Sequence, residues 1–267
     1  MIRRGWPLGL VVPLQAPSQF SPFFPDQWQE ALTEVANAGY EGVEFAIIDP
    51  TRVEKKTIKM ALEKKRLRFF AIATGQAAEA EGLSLSAKDD KVRERAVQRI
   101  KDHMQLAKEF GSVVIIGTLR GVEGDKELLI EALRECCAFD GGVKLALEAI
   151  NRYETRLINT ALEALRIVDR VGAENLGVHL DTFHANIEEV SIKKAFELTK
   201  GKLFHVDIAD SNRWAPGYGH LNWGEVWDAL ENIGYEGHLI VECFGRPSKA
   251  AVLSARNRLV LQWRLRK

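Results

Sequence analysis

Short apolar runs rich in β-branched residues recur along the chain, beginning near Leu8, Gly42, Leu67, Ser112, Lys144, Leu176, Leu203 and His238. Turn residues bound each run, and the segments between them carry apolar positions at the three-and-four spacing of an amphipathic helix. Strands that alternate with helices need crossover connections, which produce parallel sheets. Eight such units in 267 residues predict an α/β fold, a single (β/α)8 barrel, for which about 250 residues is typical. An open, doubly wound sheet is the competing arrangement. Gly39, Gly111, Gly172 and Gly234 each follow a helical segment and precede a strand, where a left-handed C′ residue is expected. Two segments echo each other, Ala38 to Glu44 and Ile233 to Glu242, as suits a repeated β/α unit. Thr74 to Lys88 reads as the longest irregular connection, a candidate lid ahead of a helix starting near Asp89. With no linker or low-complexity tract, residues 1–267 are expected to form one domain.

Charge narrows the partners. Lys plus Arg (37) equals Asp plus Glu (37), so no broad field attracts a polyanion, and neither nucleic acid nor a membrane surface is an expected partner. No apolar stretch approaches the roughly 20 residues that span a bilayer. Met1-Ile2-Arg3-Arg4 and the apolar run after it imitate a signal peptide, but Pro7 and Pro13 interrupt that run. Cys136, Cys137 and Cys243 make no even disulfide framework, which fits a reducing cytoplasm.

The polar exceptions to the apolar runs carry the chemistry. Strand 5 ends its buried run in Glu148, and a lone carboxylate there is either salt-bridged or a functional ligand. Strand 6 repeats the pattern with His179 and Asp181, strand 7 with His205 and Asp207, and strand 8 with Glu242. C-terminal strand ends of a barrel converge on one mouth, so Glu148, Asp181, His205 and Glu242 are expected to surround one divalent metal. Three oxygen donors with one imidazole suit Mn²⁺ first, with Mg²⁺ or Co²⁺ also fitting. Such an ion would act as a Lewis acid on a developing enediolate. Strands 5 and 8 nearly face each other in an eight-strand ring. Glu148 and Glu242 are therefore placed to take a proton from one face of a carbon and return it on the other.

Leu147-Glu148 through Glu154, His179 through Asn186, and His205 through Arg213 resemble the ketose 3-epimerases of the D-tagatose and D-psicose type, within the xylose-isomerase-like TIM barrel superfamily. The resemblance implies inversion at C3 of a ketose or a ketose acid (keto-hexonate), with Glu148 and Glu242 as both metal ligands and catalytic acid/base. It further implies that Glu154, His184 and Arg213 bind the oxygens around C1 to C3, and that the protein is a homo-oligomer, dimer or tetramer. The bland alternatives are a solvated Glu154 and an Arg213 paired on the surface with Asp210. His179 reads as a satisfied core histidine, and Asp207 as undecided between supporting and other roles. Glu44 points either into the mouth or against a nearby Lys or Arg. Trp214, Trp223, Trp227 and Phe244 are candidates for a sugar pocket. Gln15, Gln76 and Arg120 stand on rim loops that would read the substrate beyond C3, and Arg120, Arg152, Arg213 and Arg246 leave a terminal carboxylate open.

Three other functions compete. An aldose-ketose or hydroxypyruvate-type isomerase would use the same metal site, but those isomerases resemble His-x-Gln where this chain has His205-Val-Asp207. A nuclease of the endonuclease IV kind would need further histidines where Thr74-Gly75 and Gly117-Thr118 stand. A non-enzymatic sugar-binding protein would keep its binding after both glutamates are replaced.

Overall fold

The computed structural model describes residues 5–265. Eight strands, β1 (Leu8–Pro13), β2 (Gly42–Ala46), β3 (Arg68–Ala73), β4 (Val113–Ile116), β5 (Leu145–Ala149), β6 (Leu176–Asp181), β7 (Leu203–Ile208) and β8 (Leu239–Val241), pair in parallel and in chain order. β1 also pairs with β8, which closes the barrel and rules out the open sheet. Each strand begins within one residue of the apolar run that predicts it. Met1 to Arg4, the head of the signal-like segment, lies outside the described residues, and the apolar run after it is β1. Among the described residues, no helix is long and apolar enough to cross a membrane.

Ten α-helices separate or follow the strands among the described residues: α1 (Trp28–Asn37), α2 (Lys55–Lys65), α3 (Gly75–Glu81), α4 (Asp90–Phe110), α5 (Lys126–Phe139), α6 (Ala161–Val171), α7 (Thr182–Glu188), α8 (Ile192–Leu198), α9 (Trp223–Ile233) and α10 (Lys249–Arg264). Their starts are chemically specified. Asp89 accepts from the backbone N–H groups of Lys91 and Val92 at the head of α4, and Thr160 with Glu163 forms a reciprocal capping box on α6. All four predicted C′ glycines adopt positive φ, between 66° at Gly111 and 86° at Gly39. The Thr74 to Lys88 connection is not irregular throughout, because α3 occupies its first half. Its alanines are strong helix formers, and they outweigh the glycines that made the stretch look like loop.

The main core lies between the strands and the helix ring, and smaller apolar clusters fill the barrel interior. Val11, Ala46, Phe70 and Ile240 form one of these. The Phe70 ring crowds against β2 so closely that a Cβ on Gly42 would lie 2.3 Å from it, so no larger residue fits there. Phe70 also stacks on His238 with ring centroids 4.4 Å apart, flooring the barrel beneath the polar residues of its mouth.

Candidate active site

The C-terminal mouth opens into a cavity of about 830 Å³, lined by Glu44, Glu148, Glu154, Asp207 and Glu242 among others. Five buried or nearly buried carboxyls therefore meet in one well: Glu44, Glu148, Asp181, Asp207 and Glu242. Burial pushes Glu148 up to about 8, with His179 opposing and Glu242, Asp207 and Asp181 reinforcing. Burial also raises Asp181, Glu242 and Glu44; Arg213 eases the first two, and Asp207 raises all three. Asp207 is the exception: burial opposes its charge, but His205 and His179 hold it well below the usual carboxylate range. So many carboxyls in a buried place must either hold their protons or be met by a cation.

Part of that need is met by Arg213. Its guanidinium is almost fully buried, donates from Nη1 to Glu154 Oε1 (2.9 Å) and from Nη2 to Glu242 Oε2 (3.0 Å), and brings Nη2 within 3.8 Å of Asp181 Oδ2. Phe20 stacks beneath it at 3.7 Å and Phe183 lies at 4.9 Å. The residue sits at φ 59° in the turn after β7, and its own carbonyl accepts from Phe244 N, which fixes the loop. The Asp210 carboxylate does not pair with the Arg213 guanidinium. It accepts from the backbone N–H groups of Ser211, Gly217 and Leu221 and from Trp223 Nε1, so it organises the turn that presents the arginine.

One positive charge does not balance five carboxyls. Asp181 Oδ2 and both Glu44 oxygens are buried without a hydrogen-bond partner. Ligand atoms of Glu44, Asp207 and Glu242 lie within 4.8 Å of one another, as do those of Glu148, Asp181 and His184 and those of His179, His205 and Asp207. These donors fit a hard divalent cation, which would satisfy the orphaned oxygens.

The predicted residues are not all brought together. Glu148, Glu154, His184, Arg213 and Glu242 line the cavity, and Asp181 joins them through Glu148 and Arg213. His205 lies deeper. It is fully buried, with Nε2 hydrogen-bonded to Asp207 Oδ1 (2.8 Å) and 3.0 Å from Glu44 Oε2, and with Nδ1 3.2 Å from His238 Nε2. His179 is buried, but neither ring nitrogen makes a well-aligned hydrogen bond, and the ring lines the cavity, so it is not a satisfied core histidine. Its Nε2 stands 3.0 Å from Asp207 Oδ2.

Asn151 carries a role the motifs alone do not assign. Its amide nitrogen donates to Glu154 Oε1 (3.0 Å) and approaches His184 Nδ1 (2.7 Å). An amide N–H₂ can only donate, so His184 Nδ1 accepts and its proton sits on Nε2, 3.6 Å from Glu148 Oε1. Burial, then Arg213 and His179, depress His184 well below its usual value, which keeps the ring neutral and Nε2 a donor.

The rim candidates fare differently. Gln76 lines the cavity while its amide nitrogen holds Ala16 and Pro17 carbonyls. Gln15 instead pins the loop at Ile48 and Asp49 and stands outside the lining. Arg120 is fully buried, donating to the carbonyls of Gly117, Leu157 and Ile158, because the turn after β4 folds it inward. Arg152 pairs outside with Glu188, and Arg246 is exposed away from the lining. The aromatic wall is Phe20, with Phe244 stacked behind it at 5.8 Å. Trp223 and Trp227 stack on each other at 5.6 Å and pack with Trp6 in the core, while Trp214 stands outside the lining.

Known proteins share this architecture. The family described as xylose isomerase-like TIM barrel matches residues 32–261. The L-ribulose 3-epimerase of Mesorhizobium japonicum is 30% identical over 230 residues, which cover 81% of this chain and 75% of that protein. The ketose 3-epimerase of Arthrobacter globiformis is 28% identical over 247 residues, covering 88% and 82%. A solved structure of an L-ribulose 3-epimerase superposes with a TM-score of 0.81 at 26% identity, covering 97% of this chain and 95% of the other. A chain that folds this way and matches these proteins over most of its length belongs to the xylose isomerase-like TIM barrel family, with the ketose 3-epimerases, and is an isomerase of the carbohydrate epimerase type.

Proposed function

We propose that this protein inverts C3 of a ketose, with Glu148 and Glu242 exchanging the C3 proton across the substrate. The observation that carries the reading is that these two glutamates rise from strands three apart in the ring and face one cavity. One takes the proton from C3 and the other returns it on the opposite face, with the roles set by the starting configuration. Each positioned acid or base is worth roughly 10² to 10⁴ in rate. A divalent cation, Mn²⁺ by first preference, would lower the barrier by polarising the substrate's carbonyl and neighbouring hydroxyl. Asp181 is placed to share in holding it, and His205 supports the site from below. His184 Nε2–H, Glu154 and Arg213 orient the hydroxyls and carbonyl around C1 to C3.

A neutral ketose fits better than a keto-hexonate. Among the described residues Arg213 is the single Arg or Lys lining the cavity and is already engaged by Glu154 and Glu242, while Glu44, Glu79, Glu123, Glu148, Glu154, Asp207 and Glu242 give the wall a strongly acidic character. A terminal carboxylate would meet like charge. The buried Arg120 offers it no partner.

The remaining parts of the reading concern context. The described residues work as one barrel domain in a reducing cytoplasm, consistent with three buried free cysteines. The protein assembles as a homo-oligomer, which sedimentation would test.

Proton NMR in D₂O with a ketose panel, on the Mn²⁺-loaded protein, with chelator, and on Glu242→Gln, tests the chemistry. Metal-dependent deuterium at C3 with a new C3 epimer is the expected result. Label at C1 with an aldose product would mean aldose-ketose isomerisation, and no exchange on any sugar would overturn the proposal.

A further inference from the structure

If the well holds a divalent cation, as proposed above, one question is which side chain of β7 completes the donor set. His205 and Asp207 both point inward, two residues apart, so side-chain parity does not separate them. Depth does. The β6–β7 register pairs His179 with His205 and Asp181 with Asp207, so Asp207 is level with Asp181 and His205 lies one inward position beneath it. Asp207 lines the cavity and His205 does not. Ligand atoms of Asp207 lie within 4.8 Å of those of Glu242 and Glu44 in one group and of those of His179 and His205 in another, so Asp207 is the side chain the two groups share.

Hydrogen bonding then removes His205 as a donor. In its 2.8 Å bond with Asp207 Oδ1 the carboxylate accepts, so His205 Nε2 carries the proton. The other nitrogen, Nδ1, faces His238 Nε2 at 3.2 Å. A metal needs an unprotonated nitrogen with a free lone pair, and both ring nitrogens of His205 are already engaged, Nε2 by Asp207 and Nδ1 by His238.

We infer that Asp207 is the β7 ligand, giving an all-oxygen set of Glu148, Asp181, Asp207 and Glu242, with His205 and His179 as positioning residues that aim the Asp207 carboxylate. His205 takes one carboxylate oxygen and His179 stands beside the other, the arrangement by which outer groups fix a ligand's direction. Four carboxylates make a harder site than three with an imidazole, favouring Mg²⁺ and Mn²⁺ over Zn²⁺ or Ni²⁺.

Pulsed EPR on the full-length protein loaded with Mn²⁺ reads this directly, because a bound imidazole gives a ¹⁴N coupling and a carboxylate does not. The wild-type spectrum is expected to lack directly bound nitrogen, and Asp207→His is expected to introduce it. By titration, Asp207→Asn should weaken Mn²⁺ by more than about 100-fold, and His205→Gln by between about 10- and 100-fold, as for a supporting residue. Directly bound ¹⁴N in the wild type, lost in His205→Gln, would overturn the assignment and leave the metal reading intact. A wild-type protein that binds no Mn²⁺ would overturn both.

Discussion

Removing Glu148's charge should change how the metal-free protein responds to pH. Its folded-state carboxyl titrates near 8, against an ordinary value of 4.5, chiefly because it is buried and with Glu242, Asp207 and Asp181 adding like charge. A carboxyl raised in this way binds its proton more tightly folded than unfolded. Its stabilising contribution is therefore full below about 4.5 and is lost as pH rises toward 8. One proton is worth about 1.4 kcal/mol per pH unit across that window, so the loss reaches roughly 4–5 kcal/mol by its upper end. Glu44, Asp181 and Glu242 are raised for the same reasons and steepen the slope. Urea unfolding in chelator at pH 5, 6, 7 and 8 should show stability falling throughout, and Glu148→Gln should reduce the slope by up to about one proton. Adding Mn²⁺ should flatten it, since a bound cation keeps the carboxylates ionised. A chelated parent whose stability ignores pH in this range, or a Glu148→Gln slope equal to the parent's, would refute the electrostatic reasoning.

Asn151→Ala frees His184 Nδ1 and Glu154 together; kcat/KM for the active ketose should fall between about 10- and 100-fold, and denaturant unfolding should show a loss of about 1–3 kcal/mol from the orphaned buried nitrogen. Arg213→Lys loses the forked contact to Glu154 and Glu242 and the stack on Phe20, and steady-state kinetics should show kcat/KM down by about 10² or more. Arg120→Ala strips three carbonyls of a buried donor and should cost about 3–5 kcal/mol in denaturant unfolding, with equal activity loss on neutral and acidic ketoses. A loss confined to acidic substrates would restore a carboxylate-binding role for Arg120.

The barrel was legible because each strand is a short apolar run bounded by turn residues, and closure follows from eight such units in a chain of this length. Glu148, Asp181 and Glu242 were legible as charges at the ends of those runs, since a buried carboxylate demands a partner. What sequence could not supply is depth and direction. His205 and Asp207 share a face of β7, and only the register against β6 shows which stands at the mouth. Arg120 reads like any rim arginine until the turn after β4 folds it under three carbonyls. Asn151 did carry a signal, a polar side chain at the exit of a buried strand, yet its bridging of Glu154 and His184 depends on a contact across 33 residues of chain. Phe20 lies in the connection after β1, where no pattern marks it as the surface beneath Arg213.

The mouth is chemically lopsided. β5 to β8 and the turns just after them carry Glu148, Asp181, Asp207, Arg213 and Glu242, and β2 adds Glu44 from below, whereas β3 and β4 end in Thr74, Gly75, Gly117 and Thr118, with α3 following β3. A Cβ on Gly117 would already stand 2.8 Å from Glu148 Oε2, so that wall is kept low where it meets the reacting groups. Proton handling and substrate shape are thus encoded in different stretches of chain. An engineer can recombine loops from the first half to change which sugar is accepted, and selection can do the same, without rebuilding the acid/base pair inherited from the second.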